Sequence, residues 1–320
     1  MEHVRWLAKP KLRRPMLIAA FTGWNDAGDA ASNSVRHLVE AWHAQPLAEI
    51  DPEEFTDFAT VRPHVRLTAE QKRMIVWPTV GLWSASTPGG DVILALGPEP
   101  ALRWRLFTEQ LVGIAQRFDV SMVLTLGALL ADVPHTRPVQ LIGTATENDI
   151  IERFDLQRSR YEGPTGIVGV LHDSCSKADL SSASLWAAVP AYASQVPSPK
   201  ASLALVERAC EMLGTPGPTA QLQGEAQEYD ARVSTFVNDD GDLMGYVARL
   251  ESLADSGQLV DDDYFSDADG SDDDGSDDDD SVGGELADDE SGNGNEVVAA
   301  EVNSEELMAE VERFLRDQGS

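Results

Sequence analysis

Cysteine is scarce in this 320-residue chain: Cys175 and Cys210 stand far apart and are the only two. That excludes a disulfide framework and a cysteine-built metal site, whose ligands come in closely spaced pairs, and it fits a reducing, cytoplasmic setting. Long apolar runs are missing as well. The early run from Pro15 to Trp24 falls short of the roughly 20 residues that a membrane span needs and turns polar at Asn25, so neither a span nor a secretory leader is expected. Basic residues are few, 24 Lys plus Arg against 55 Asp plus Glu, for a formal net charge of −31. Nucleic acid and anionic membrane would be repelled by such a chain and are not expected as partners. Familiar chemical motifs are also absent. There is no Gly-x-Ser-x-Gly elbow, no histidine pair at metal-ligand spacing and no dinucleotide fingerprint, so motifs assign no catalytic residue, cofactor or metal.

The acid is unevenly spread. Between Asp255 and Glu290 there are seventeen Asp or Glu and no Lys or Arg, which leaves the remainder of the chain at −14. Low apolar content and mutual repulsion predict a disordered linker over 255–302. Its Asp and Gly clusters lack the ligand spacing, terminal glutamate and flanking apolar helices of a calcium loop. At 42% hydrophobic content overall, residues 1–254 suffice for one substantial core.

That core reads as α/β. Met16 to Phe21 is an unbroken apolar segment with the length of a strand buried on both faces, and Asp26 to Trp42 places its apolar residues at helical spacing. Further strands are expected at Pro46–Ile50, Val61–Leu67, Arg73–Pro78, Asp91–Leu96, Val120–Leu126, Val139–Thr144 and Ala183–Val189, with helices at Leu102–Phe118 and Thr165–Lys177. Alternation of this kind favours a largely parallel sheet between helical layers. The close pair around residues 61–78 reads instead as a hairpin inserted into the pattern. After 198 the composition turns helical, giving an α/β domain over 1–197, a helical lid over 198–254, the acidic linker and an amphipathic helix over 303–317.

Polar residues gather where strands are expected to end. The stretch FTGWNDAGDAAS carries Gly23, Asn25 and Asp26 at a strand-to-helix turn, a place where open α/β sheets bind ligands, and Asn25 or Asp26 can cap the helix. LGPEPALRW supplies Glu99 and Arg103, LGALLADVPHTRP supplies His135 and Arg137, and YEGPTGI supplies Tyr161, Glu162 and Thr165. His135 is either a general base or anion ligand, or a loop hydrogen-bond post; Arg137 is either an anion clamp or the structural partner of Glu99. Asp26 and Asp29 also suit the positive end of the following helix. GPTG lacks the Lys and Ser or Thr of a phosphate loop. Trp24, Trp83, Trp104 and Trp186 suit a core or subunit interface better than ligand stacking. Placement alone predicts Asn25, Asp26, Glu99, His135, Arg137 and Glu162 around one cleft.

The same stretches, with DFATVRP, SLWAAVP and PSPKASLALV, occur in an order that resembles the proteasome assembly chaperone 2 (PAC2) family, in its long actinobacterial branch, over about residues 4 to 254. The resemblance implies a three-layer fold similar to nucleoside phosphorylases and hydrolases: a mixed sheet between helices, a hairpin used in self-association and a C-terminal helical lid over a ligand cleft. It implies a homo-oligomer, a trimer, and two functional alternatives: a small-molecule cleft of unassigned chemistry, or a scaffold binding proteasome subunits or another protein assembly. Two positions depart from the family pattern. Pro190, Ala191 and Tyr192 stand where relatives carry Pro-His-Tyr, and the sequence finishes Arg316 to Ser320 rather than in a hydrophobic residue, a tyrosine and one more. Within NSEELMAEVERFLRDQ, Leu307, Met308, Val311, Phe314 and Leu315 share one helical face, which predicts a docking surface within the oligomer.

Overall fold

Six of the seven residues of the strand Met16–Thr22 are buried, and alternate side chains enter different cores, so this strand lies between two helical layers. The computed structural model describes residues 1–257 of the chain. The expected acidic linker beyond Gly257 and the expected helix over 303–317 lie outside the described residues. The strands are β1 (Val4–Trp6), β2 (Met16–Thr22), β3 (Gln45–Ile50), β4 (His64–Leu67), β5 (Arg73–Val76), β6 (Val80–Thr87), β7 (Gly90–Pro98), β8 (Met122–Ala131), β9 (Leu141–Ala145) and β10 (Ser182–Pro190). The helices are α1 (Ala30–Ala41), α2 (Trp104–Arg117), α3 (Asn148–Phe154), α4 (Ile167–Lys177), α5 (Pro199–Leu213), α6 (Ala220–Asn238) and α7 (Gly241–Asp255).

Eight strands form one mixed sheet in the order β1-β3-β6-β7-β2-β8-β10-β9. Only the central run β7-β2-β8-β10 is parallel; β1, β3 and β6 on one side and β9 on the other pair antiparallel. The sheet is therefore less parallel than helix–strand alternation predicts, because β3, β6 and β7 follow one another with no crossover helix between them. Strands β1 and β6 and helix α3 were not legible in advance. The sequence of β6, VGLWSAST, mixes small polar residues with its apolar ones, and β1 has only three residues.

On β2, Ile18 and Ala20 pack with Val35 and Leu38 of α1 and Leu205 and Val206 of α5. Leu17, Ala19 and Phe21 face the other layer, with Phe107, Leu111 and Ile114 of α2 and Val168 and Leu171 of α4. This period-2 division of one strand between two cores is what builds the three layers. Helices α6 and α7 continue from α5 and share a small core with Ala193: Tyr229, Val233, Val237 and Val247. Asp255, expected as the first linker residue, belongs to α7.

Strands β4 and β5 form a separate two-stranded sheet, with Val65 opposite Ile75 and Arg66 opposite Met74. Antiparallel pairing places the end of β3 (Ile50), the start of β6 (Val80, Gly81) and the end of β7 (Leu96) at one edge of the large sheet. The ribbon thus grows from the same edge at which β2 and β8 end.

Candidate functional site

The turn after β2 is shaped by glycine. Gly23 has φ of 123° and Gly28 has φ of 57°, and the Asp26 amide closes a turn onto the Gly23 carbonyl at 3.1 Å. The first value lies where side-chain-bearing residues rarely go. The Asn25 carbonyl accepts from the Ala128 amide at 2.8 Å, tying the turn to β8.

Asp26 is buried, and its Oδ1 accepts from the amides of Ala31 (2.8 Å) and Ser32 (3.0 Å). It is the helix cap expected from its position, held inside rather than at an exposed loop. Burial pushes its carboxyl pKa up, opposed by the bonds from Ser32 and Ala31, and its Oδ2 has no partner.

Glu99 follows β7 and binds two groups through Oε1: the Asn25 amide Nδ2 at 2.7 Å and the Ile167 backbone N–H at 2.8 Å. The second bond satisfies an open donor at the start of α4, where a carboxylate also meets the positive end of the helix. Gly166 admits this approach, since a Cβ there would stand 2.4 Å from Asn25 Oδ1 and 2.9 Å from Glu99 Oε1. Glu99 therefore joins the ends of β2 and β7 to α4. It does not partner Arg137.

A second polar group surrounds His135. Tyr192 Oη accepts the His135 backbone N–H at 2.7 Å and lies 2.8 Å from Nδ1, while Nε2 lies 2.9 Å from Ser234 Oγ on α6. Lys200 Nζ donates to the His135 carbonyl and to Asp230 Oδ2, the latter at 2.9 Å. Burial holds the His135 pKa below its ordinary value, aided by Lys200 and opposed by Asp230 and Glu251; burial pushes the Tyr192 phenol up to about 12. A neutral ring and a protonated phenol satisfy every bond when Tyr192 donates to Nδ1 and Nε2–H donates to Ser234. In that tautomer the ring gives Ser234 a proton rather than accepting one. The arrangement braces the loop after β8 against α6.

Arg137 reaches α7, donating to Asp255 Oδ1 at 2.7 Å and Oδ2 at 2.8 Å, with Glu251 at 3.4 Å. The ion pair lowers the Asp255 pKa and raises that of Arg137. Tyr246 Oη donates to Asp132 Oδ1 at 2.6 Å, so α7 is fastened to the same loop twice over.

The predicted residues thus fall into separate groups. Gly23, Asn25, Asp26 and Glu99 share the turn beside α4; His135 and Arg137 face α6 and α7; Arg103 pairs with Glu54; Tyr161 donates to the Pro164 carbonyl at 2.7 Å; Glu162 and Thr165 are exposed. Sequence reasoning missed Tyr192, Lys200, Asp230 and Ser234. Their one signal was Asp230 and Ser234 flanking the buried stripe Tyr229, Val233 and Val237 on α6.

Little space is left beside these groups: the cavity lined by His135, Ser198, Lys200 and Tyr229 measures about 10 Å³. A cavity of about 400 Å³ lies elsewhere, between α1, α5 and α6, lined by Arg36, His37, Glu40, Glu225, Glu228 and Arg232. No group of His, Cys, Asp and Glu that could hold a metal ion occurs among the described residues. The β4–β5 ribbon and the residue that follows it expose large apolar side chains: Val65, Leu67, Met74, Ile75 and Trp77 are each 47–60% exposed.

The family model described as the PAC2 family matches residues 20–237. The chain belongs to the PAC2 family. A PAC2 family protein from Streptomyces avermitilis is 42% identical, covering 73% of this chain and 99% of that one, with a TM-score of 0.68. A proteasome-assembly chaperone homologue from Mycobacterium tuberculosis is 41% identical, covering 72% and 99%, with a TM-score of 0.66. PbaB, an archaeal proteasome activator from Pyrococcus furiosus, is 15% identical with a TM-score of 0.59 over 73% of this chain and 97% of its own, and so shares the fold alone. No curated protein matches the chain. The matched residues 20–237 run from β2 into α6, so the PAC2 fold is the frame in which the two polar groups sit. No described helix is long and apolar enough to cross a membrane.

Proposed function

We propose that this PAC2 protein is a protein-binding assembly factor that uses the β4–β5 ribbon as its docking surface. The ribbon's exposure carries the reading. A two-stranded ribbon is marginal by itself, and five large apolar side chains left in water are an interaction surface until covered. The name of the Mycobacterium relative, a proteasome-assembly chaperone homologue, points to proteasome subunits as the partner class. Self-association into a trimer through the same ribbon belongs to this reading, as does a cytoplasmic setting, which two free, buried cysteines suit. A protein partner is favoured over a small molecule because the space beside His135, about 10 Å³, is no larger than one water needs.

The test pairs wild type with the double variant Met74→Glu, Ile75→Glu, both positions being exposed. Oligomer mass is read by analytical ultracentrifugation, and capture of purified proteasome α subunits by affinity pull-down. The reading expects self-association and capture in wild type and loss of both in the variant, with an unchanged melting temperature. Absence of both from wild type refutes it.

A further inference from the structure

The two sides of the ribbon differ in chemistry. Residues 61–77 carry Arg62, Arg66, Lys72 and Arg73 against Glu70 alone, four cations to one anion for a net of +3 in a chain whose total is −31. All five are exposed, and Lys72 pairs with Glu70 at 2.6 Å, while the three arginines have no carboxylate partner among the described residues. Residues directly opposite one another on antiparallel strands share a face, so His64, Arg66, Met74 and Val76 lie on one side and Val65, Leu67, Arg73 and Ile75 on the other. The first side is polar around the exposed Met74; the second is apolar but for Arg73. Two ribbons packed against each other would set +3 against +3, which like-charge repulsion opposes. The polar side therefore suits an acidic surface that carries a few apolar groups of its own.

Such a surface stands at the corner between α6 and α7. Residues 236–244, FVNDDGDLM, hold Asp239, Asp240 and Asp242 and no Lys or Arg, for a net of −3, and Phe236 and Met244 are 56% and 51% exposed. The corner has a fixed shape: Asp240 Oδ1 accepts from the amides of Asp242 (3.0 Å) and Leu243 (3.1 Å), capping α7, and Val237 and Val247 are buried with Tyr229. Exposed Leu7, Leu102 and Tyr161, in contrast, each have an Arg or Lys within two residues, so they do not match a cationic ribbon. We propose that the polar side of one copy's ribbon docks on the α6–α7 corner of a second copy, with Arg62 and Arg66 toward the three aspartates and Met74 toward Phe236 and Met244. The proposal rests on the reading of the ribbon as a docking surface and names its partner in self-association. Both features are uncovered within one chain, and they belong to different flanks of the fold: the ribbon is rooted at β6, and the corner is tied through Tyr246 and Asp132 to the loop after β8, three strands away. Contact between copies is then head-to-tail. Each copy gives one ribbon and receives another, and closure of that contact yields a ring such as a trimer. The side with Val65, Leu67 and Ile75 stays open for a different protein.

The experiment is sedimentation velocity of the full chain over a concentration series, which gives the strength of self-association. One variant reverses the ribbon, Arg62→Glu with Arg66→Glu; a second reverses the corner, Asp239→Lys with Asp242→Lys; a third combines all four changes. The four positions are exposed, the Asp240 cap is left in place, and melting temperature verifies that the fold is undisturbed. Either reversal alone is expected to weaken association about tenfold or more, since two exposed attractions become repulsions. The combined variant, with both signs exchanged, is expected to recover association to within about threefold of wild type. Association of the corner variant at wild-type strength overturns the proposal, and so does a combined variant that fails to recover. In either case, loss of association in the Met74→Glu, Ile75→Glu variant still supports the ribbon as a docking surface. The corner variant is expected to capture proteasome α subunits as wild type does, because the apolar side of its ribbon is unchanged. Wild-type association through the corner without capture defeats only the assembly-factor reading; capture by a wild type that does not associate defeats only this proposal.

Discussion

Acid sensitivity of this fold is expected to be centred on one histidine. His172 of α4 faces the sheet, with Nε2 2.9 Å from Thr125 Oγ1 on β8 and Nδ1 2.9 Å from Ser182 Oγ at the start of β10. Burial, with no carboxylate partner to offset it, pushes its pKa down to about 4. The folded state therefore binds this proton less readily than the unfolded chain, whose histidine titrates near 6.5. Its contribution to stability is complete above that value and is lost as pH falls from 6.5 toward 4. Integration of the linkage relation gives about 2 kcal/mol lost by pH 5 and about 3 kcal/mol in total. The perturbation is His172→Gln, which keeps a donor and an acceptor between the two hydroxyls without a titrating group. Thermal unfolding at pH 7.5 and pH 5 separates the cases, since every other group is common to both proteins. Wild type is expected to lose about 4–8 °C more than the variant over that interval, at about 2–4 °C per kcal/mol for a domain of this size. Parallel losses would falsify the assignment of the acid-labile term to His172.

Asp26→Ala, at the centre of the GWNDAG turn, is expected to cost about 1–2 kcal/mol in urea unfolding because two helix amides lose their acceptor, whereas Asp26→Asn keeps the cap and holds stability at pH 7. Gly166→Ala forces the Asn25–Glu99 pair apart and is expected to cost about 1–3 kcal/mol, with faster amide exchange at Ile167 as the local signature. Arg137→Ala is expected to leave the melting temperature within about 2 °C, since its pair with Asp255 is exposed, while exchange along α7 rises severalfold.

What could be read from the residues follows from how local each signal is. The strand MLIAAF and the helix after it were legible because burial on both faces leaves an unbroken apolar run, and helical burial leaves a 3.6-residue period. The hairpin was legible from two short strands separated by a few polar residues. Strand β6 was not, because Ser84, Ser86 and Thr87 dilute its pattern; its place is decided by pairing with β7, a tertiary fact. The polar groups divide in the same way. Asp26 as a cap is local and could be foreseen. The partner of Glu99 is an amide 68 residues away, and the brace on His135 comes from Tyr192 and Ser234, 57 and 99 residues away. A sequence marks such residues as polar and placed after strands, but their closing contacts depend on the packing of α4 and α6.

The position of β2 in the sheet bears on how the chain emerges from the ribosome. Met16 pairs with Val92 of β7 on one side and with Met122 of β8 on the other. This buried apolar strand is therefore made early and waits for about 75 further residues before one flank can be covered and about 105 before the other can. At about 5–20 residues per second, that is an exposure on the order of 5–20 s. The Glu99 bridge from Asn25 to α4 is completed later still, when Ile167 has been made. A nascent chain with this topology therefore carries an uncovered apolar β2 until β7 and β8 have both been made.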